Sequence, residues 1–204
     1  MELVIISGRD AATLEKWLGD YPVTLVAEHG LKLRRLGLER WESLLTSVNV
    51  SWKPAVREIL EDYTARSPGA FVEEKSASLA WHYRQVEMRF GSWQARELAQ
   101  HLSEAFANSA LEVLHGAKVV EVRPQGFDKG RAYRILHKKL GPFDFAMAAG
   151  DDRTDEDMFQ EVGPEWSIKI GRGAAHAHYR CETPTLFEKF SSSWHVDISL
   201  HVSP

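Results

Sequence analysis

Cysteine is nearly absent. Cys181 is the only one in 204 residues, so no intrachain disulfide can form, and a reducing, cytoplasmic setting is expected. Nothing near Cys181 marks an activated thiolate, and a small buried residue is its expected role. No apolar run is long enough to span a bilayer, and Met1 leads into a strand pattern rather than a secretory leader. A membrane partner is therefore not expected. Excess positive charge is also missing: the net charge is -4, which supplies no global field for nucleic acid and leaves open only a local basic pocket. A strong glycine fingerprint for phosphate is lacking too, since Gly171-Arg172-Gly173 reads as a plain loop. What is present is an ordinary globular balance, 44% hydrophobic and 26% charged.

The hydrophobic pattern changes grammar twice. An apolar run at 3–6 ends at Ser7-Gly8-Arg9, and Asp10 can cap a helix carrying Leu14, Trp17 and Leu18 on one face before Gly19. A second strand at 23–27 ends at Glu28-His29-Gly30, which completes the βαβ grammar of a parallel sheet. From about residue 50 the order becomes helix (54–63), strands (71–75 and 78–84), helix (94–106) and strands (111–114 and 118–123). This αββαββ unit predicts an antiparallel sheet with its own core. After Pro124 come a helix at 129–140 stopped by Gly141-Pro142, a strand at 145–149 and another at 167–170. The expected fold is α/β: a Rossmann-like parallel core sheet from 1–49 and 125–204, with an α+β cap inserted at 50–124. The tail beyond Ser191 carries no assignable pattern.

Gly150-Asp151-Asp152-Arg153-Thr154-Asp155-Glu156-Asp157 opens a helix at the carboxyl end of a core strand, where open α/β sheets keep their ligand crevice. Asp151, Asp152 and Asp155 repel one another at such spacing, and Mg²⁺ would relieve that cost through hard oxygen ligation. A plain helix start, with Thr154 as N-cap and Glu156 and Asp157 facing the dipole, leaves the Asp151-Asp152 pair unexplained. Alternation sorts the cap: Glu73 and Lys75 share a strand face, as do Glu121 and Arg123, with His82 and Arg84 on a further strand. Such a face is solvated by default, yet these pairs could hydrogen-bond a hydroxyl-rich ligand. Lys129 opposes the dipole at a helix start unless an anion sits there, and Ser7 lies at another strand end. Ser7, Lys129 and a magnesium site form a parts list for binding a transferring phosphoryl group.

With these motifs in order over most of the chain, to about residue 190, the sequence resembles the haloacid-dehalogenase-like phosphatases, and within them the trehalose-6-phosphate phosphatase family. The carriers are Ser7-Gly8-Arg9, Glu28-His29-Gly30, Glu73-Glu74-Lys75, His82-Tyr83-Arg84, Glu121-Val122-Arg123-Pro124, Lys129-Gly130 and the acidic segment. The resemblance implies Mg²⁺-dependent hydrolysis of trehalose 6-phosphate through an aspartyl-phosphate, in trehalose biosynthesis. It implies Asp151 as direct metal ligand supported by Asp152 and Asp155, and Ser7 and Lys129 as phosphoryl-handling residues. Arg9, Glu73, Lys75, Arg84, Glu121 and Arg123 would bind substrate. A fused or associated trehalose-6-phosphate synthase is the implied protein partner.

The family's Asp-x-Asp-x-Thr motif, which supplies nucleophile and general acid/base, occurs nowhere in the chain. The expectation is that the chain starts at the family's second core strand, lacks the central first one, exposes unpaired strand edges and is inactive alone. A late-start or partial sequence of an ordinary enzyme is the favoured explanation, because the metal and substrate motifs all survive. A non-catalytic sugar-phosphate-binding or regulatory module is an alternative, as is a strand donated by another chain. A sucrose-phosphate-type phosphatase is the enzymatic runner-up. Translating the DNA upstream of Met1 tests the first explanation: an in-frame Asp-x-Asp-x-Thr supports it and absence of one sinks it.

Overall fold

Short apolar runs bounded by turn residues become the first strands of the computed structural model, which describes residues 2–44, 48–141 and 143–191. Pro142 and the tail beyond Ser191 lie outside the described residues. β1 (Val4–Ile6) pairs in parallel with β2 (Thr24–Ala27), Val4 opposite Thr24 and Ile6 opposite Val26. Between them runs α1 (Ala11–Leu18), whose first turn is closed by the Asp10 carboxylate accepting from the Thr13 amide at 2.9 Å and hydroxyl at 2.6 Å. Leu14 of α1 packs on Val23, Leu25 and Ala27. The expected βαβ unit is present.

Beyond β2 the chain reverses where no strand was expected. β3 (Lys32–Arg34) and β4 (Glu42–Ser43) add antiparallel to β2, giving the order β1-β2-β3-β4. Gly30, at φ 103°, makes the sharp turn that starts β3. Strands of three and two residues are too short to show a period, which is why the sequence concealed them.

The αββαββ unit follows as α2 (Lys53–Ala65), β5 (Phe71–Glu74), β6 (Leu79–His82), α3 (Met88–Ala105), β7 (Leu111–Gly116) and β8 (Val119–Pro124). Its sheet is antiparallel throughout, in the order β5-β6-β8-β7. Val56 and Leu60 of α2 and Ala95, Leu98 and Leu102 of α3 pack on Leu79, Trp81, Val120 and Val122, forming a core of this segment's own residues. α3 starts at Met88 rather than near 94, because the Glu87 carboxylate caps the amides of Arg89 and Phe90 at 3.0 and 2.8 Å. Met88, Phe90 and Trp93 are exposed, so no apolar period marks that first turn. β6 stops at His82, and Arg84 falls in the turn beyond it rather than on the strand.

α4 (Lys129–Leu140) has the bounds its pattern predicts. Its Ala132 and Leu136 pack on Val26 and Leu33, which carries the chain back to the first sheet. β9 (Ala148–Gly150), α5 (Glu156–Val162), β10 (Ser167–Ile170), β11 (Tyr179–Cys181) and α6 (Pro184–Ser191) complete the described chain. β9 is shorter than the apolar run, since Phe145 is exposed and meets Trp166 edge-on. β11 was not foreseen, and Cys181 within it is free and half-buried rather than buried. The sheet β11-β10-β9 is parallel, and among the described residues the core strands lie in this sheet and in β1-β2-β3-β4. β1 and β9 each end their sheet among the described residues, and Val4, Ile5 and Ile6 are only half-buried. Among the described residues no helix is long and apolar enough to cross a membrane.

Leu98 is fully buried between α2 and the antiparallel sheet, whereas Trp93 on the same helix is exposed. Leu98→Ala should therefore cost about 2–5 kcal/mol in urea unfolding and Trp93→Ala less than about 0.5 kcal/mol. Equal losses would contradict the assigned face of α3.

Candidate active site

Two loops at strand ends build one side of the site. The turn after β1 and the turn after β2 are zipped together: the Glu28 amide donates to the Arg9 carbonyl and the His29 amide to the Ser7 carbonyl, both at 2.9 Å. Glu28 and His29 hold left-handed backbone at φ 50° and 54°, which is costly for residues with side chains and persists only where surroundings enforce it. The His29 ring lies so close to Gly8 that a Cβ at position 8 would collide with it. Gly30 in turn sits against Ala132, placing the first turns of α4 beside this loop pair.

The antiparallel sheet closes on those loops through its charged face. Glu73 of β5 lies across from Ala80 of β6, which lies across from Glu121 of β8, so the two carboxylates share a row. Just past β5, the Lys75 ammonium donates to the Gly8 carbonyl at 3.1 Å and stands 3.4 Å from Glu121 Oε1. The Ser78 hydroxyl donates to the same oxygen at 2.6 Å, and His29 Nε2 stands 3.8 Å from Glu121 Oε2. Beside them, the Ser76 hydroxyl donates to Glu28 Oε1 at 2.7 Å. Burial alone would raise the Glu121 pKa, but the His29 imidazole, the Lys75 charge and the Ser78 hydroxyl outweigh it and hold the carboxyl down at about 2. Lys53, at the start of α2, anchors the connection after β5 by donating to the carbonyls of Lys75 at 2.5 Å and Ser76 at 3.1 Å.

The other candidates on this side are placed unevenly. Glu73 pairs with His82 at 2.6 Å. Arg123 is buried, and its Nε donates to Glu112 at 2.7 Å. Ser7 accepts the Arg9 amide on its hydroxyl at 3.2 Å, while the Arg9 guanidinium lies over Trp17, 4.3 Å from the ring centroid. Arg84 is exposed and makes no hydrogen bond or ion pair among the described residues. Glu28, His29, Ser76, Ser78 and Lys53 had been given no role from the sequence. Glu28 and His29 stand in a motif that carries the family resemblance, and Lys53 is readable as a cation at a helix start, where the dipole disfavours it.

The acidic segment answers its own repulsion. Asp152, not Thr154, caps the short 3-10 turn Arg153–Asp155 that leads into α5, and Asp155 reaches back to the Asp152 amide at 2.8 Å. The other Asp155 oxygen accepts from the buried Lys129 ammonium at 2.6 Å. That carboxylate is the anion which the placement of Lys129 at a helix start called for. Gly150 has no side chain because a Cβ there would strike the Asp155 carboxylate. Lys169 of β10 donates to the carbonyls of Asp151 at 2.9 Å and Asp152 at 3.2 Å, and stands 3.6 Å from Glu156. It too had no role from the sequence, although a lysine inside a buried strand needs a partner. Burial and the Asp128 carboxylate push the Asp157 carboxyl up. Asp151 is exposed, with no hydrogen bond on its carboxylate among the described residues.

Among the described residues no group of three or more histidine, cysteine, aspartate or glutamate side chains is gathered to hold a metal ion. Among the described residues the Asp151 carboxylate has no hydrogen bond, while Asp152 through one oxygen and Asp155 through both fix the turn that presents it. Mg²⁺ commonly takes one or two protein carboxylates and completes its shell with water and phosphate oxygens, and the residues present fit that mode.

Two outcomes follow from these contacts. The depressed Glu121 pKa means that its stabilisation is present above the ordinary value of 4.5 and is lost as pH falls towards 2. Glu121→Gln should therefore destabilise the chain by on the order of 2 kcal/mol at pH 7 and by much less near pH 2, read from urea unfolding at both. A pH-independent difference would contradict the ion cluster. Gly150→Ala should break the Lys129–Asp155 pair and lower the melting temperature, and an unchanged melting temperature would show that the turn can relax.

The family model described as trehalose-phosphatase matches residues 1–186. A bifunctional trehalose-6-phosphate synthase/phosphatase from Thermoproteus tenax is 46% identical over 178 residues, 86% of this chain and 24% of that protein. The chain thus spans about a quarter of that curated relative. The C-terminal domain of C. albicans trehalose-6-phosphate phosphatase superposes with a TM-score of 0.83 at 31% identity, covering 94% of this chain and 77% of that one. A haloacid dehalogenase-like hydrolase from Bacteroides thetaiotaomicron, at 13% identity and a TM-score of 0.65 over 88% of this chain and 80% of that one, shares the fold alone.

Proposed function

The chain belongs to the trehalose-phosphatase family, and on that premise we propose that it is the phosphatase module that cleaves trehalose 6-phosphate to trehalose and phosphate, in the cytoplasm, for trehalose biosynthesis. The single observation that carries the reading is the Glu121 cluster, where Lys75 and Ser78 of the antiparallel unit meet His29 and Gly8 of the core loops around one largely shielded carboxylate. Residues 50–124 act as a cap over a core formed by 1–49 and 125–204. The cap supplies Glu73, Lys75, Glu121 and Arg123 to sugar hydroxyls, with Arg84 and Arg9 at the margins. Closing the cap keeps bulk water from the reacting phosphoryl group.

On the core side the Ser7 hydroxyl donates to a phosphoryl oxygen. The Lys129 ammonium, held by Asp155, offsets charge that builds up on that group. Mg²⁺ held by Asp151, on the turn fixed by Asp152 and Asp155, would neutralise phosphoryl charge when bound. An aspartate attacks phosphorus, the sugar alcohol leaves, and water then hydrolyses the aspartyl-phosphate. That aspartate belongs to the Asp-x-Asp-x-Thr motif, which is not among these 204 residues. A synthase is the natural partner, since the Thermoproteus tenax relative bears both activities in its name.

Phosphate release is the test. The 204 residues alone should release none from trehalose 6-phosphate. The chain extended by an Asp-x-Asp-x-Thr strand should do so, and EDTA should stop it. Equal rates on trehalose, sucrose and mannose phosphates would refute the sugar assignment. Metal-dependent turnover by the 204 residues alone would show that the nucleophile has been misplaced. Binding without turnover by the extended chain would favour a regulatory module.

A further inference from the structure

One tight turn carries the side chains that tie the antiparallel unit to the seam. Between β5 and β6 the chain reverses over residues 75–78, closed by the Lys75 amide donating to the Ser78 carbonyl at 3.0 Å. From this turn Lys75 reaches the Gly8 carbonyl, Ser76 reaches Glu28 and Ser78 reaches Glu121. Side chains on a loop stand only as accurately as the backbone beneath them. The shape of these four residues therefore decides where the Lys75 ammonium and the Ser78 hydroxyl are presented.

That shape is held by a residue outside the turn. The Lys53 ammonium donates to the Lys75 carbonyl at 2.5 Å, the Ser76 carbonyl at 3.1 Å and Glu74 Oε1 at 3.0 Å. An ammonium has three donors, so all of them are engaged here. The two carbonyls belong to the consecutive peptide planes on either side of Ser76. Fixing both planes fixes the backbone at the centre of the turn.

The placement of Lys53 is unfavourable on two counts. It is the first residue of α2, where the helix dipole disfavours a cation, and it is buried. The ion pair with Glu74 is a weak reason for such a position. Glu74 is 51% exposed and also pairs with Arg57, so solvent screens its attraction and the contribution is small. The carbonyls of the turn are the partners that the position serves.

We propose that Lys53 is a positioning residue for sugar recognition: through the carbonyls of the turn it sets where Lys75 and Ser78 stand, without touching the sugar itself. The inference rests on the trehalose 6-phosphate reading and adds the start of α2 to the residues that govern affinity. The effect falls on binding, because Ser7, Lys129 and Asp151 lie on other elements.

Calorimetric titration of the 204-residue chain with trehalose 6-phosphate, run as a double-mutant cycle, tests this. Lys53→Met keeps the aliphatic stem, removes the three donors and should weaken binding about 10-fold. Lys75→Met should weaken it at least as much, and the double variant should lose far less than the product of the two single losses. Losses that multiply, or wild-type binding by Lys53→Met, would overturn the positioning role while leaving the proposed function standing. Glu74→Gln leaves the carbonyl bonds in place and should bind within about twofold of the wild type. A loss equal to that of Lys53→Met would assign the effect to the ion pair and overturn the inference. A second readout needs no sugar. If the turn shifts, Lys75 and Ser78 leave Glu121, so the carbon-13 NMR midpoint of its carboxyl in folded Lys53→Met should rise from the wild-type value towards 4.5. Coincident midpoints would overturn the inference. Failure of the wild-type chain to bind trehalose 6-phosphate would overturn the proposed function, and the NMR comparison would still decide whether Lys53 sets the turn. Circular dichroism checks folding, and Lys53→Gln, which keeps one amide group, replaces Lys53→Met if that variant does not fold.

Discussion

The Glu121 carboxylate, on a side chain only 12% exposed, is the contact on which the arrangement of the molecule turns. A charge taken out of water must be matched by donors and opposite charge, and the partners of Glu121 come from both sides of a seam. Lys75 and Ser78 belong to the antiparallel unit, and His29 belongs to a core loop. Lys75 also donates to Gly8, so one ammonium joins the sheet face to the end of β1. The seam carries polar ties, with Lys75, Ser76, Ser78 and His29 as their donors.

The same accounting explains the acidic segment. Like charges at short spacing demand a counter-charge, and a metal is one source of it. The chain supplies another: Lys129 on Asp155, backbone amides on Asp152 and Asp155, and Lys169 on the carbonyls of the turn. What remains of the three aspartates is the Asp151 carboxylate, without a hydrogen bond among the described residues, on a turn held by its neighbours. Preorganising the support and leaving one ligand open suits an ion that takes most of its oxygens from water and substrate.

Much of the fold was legible because its elements are long enough to show a period. Leu98 and Leu102 mark α3, Val120 and Val122 mark β8, and α4 has the bounds its pattern predicts. β3, β4 and β11 were not legible, being two or three residues long, and the start of α3 was hidden by exposed apolar residues. In the site, alternation placed Glu73 and Glu121 on one sheet face correctly. It could not say what closes on that face. Glu28 and His29 enter through left-handed backbone that carries no signature in residues other than glycine, and Lys169 takes its meaning only from a turn distant in sequence. Thr154 looked like a cap because its hydroxyl is a common one, but the carboxylate of Asp152 took the place.

The seam's charge state is measurable directly. Carbon-13 NMR titration of the Glu121 carboxyl in the folded chain should give a midpoint near 2, well below its ordinary value of 4.5. A midpoint at or above 4.5 would mean that Lys75, Ser78 and His29 do not hold that carboxylate, and would contradict the account.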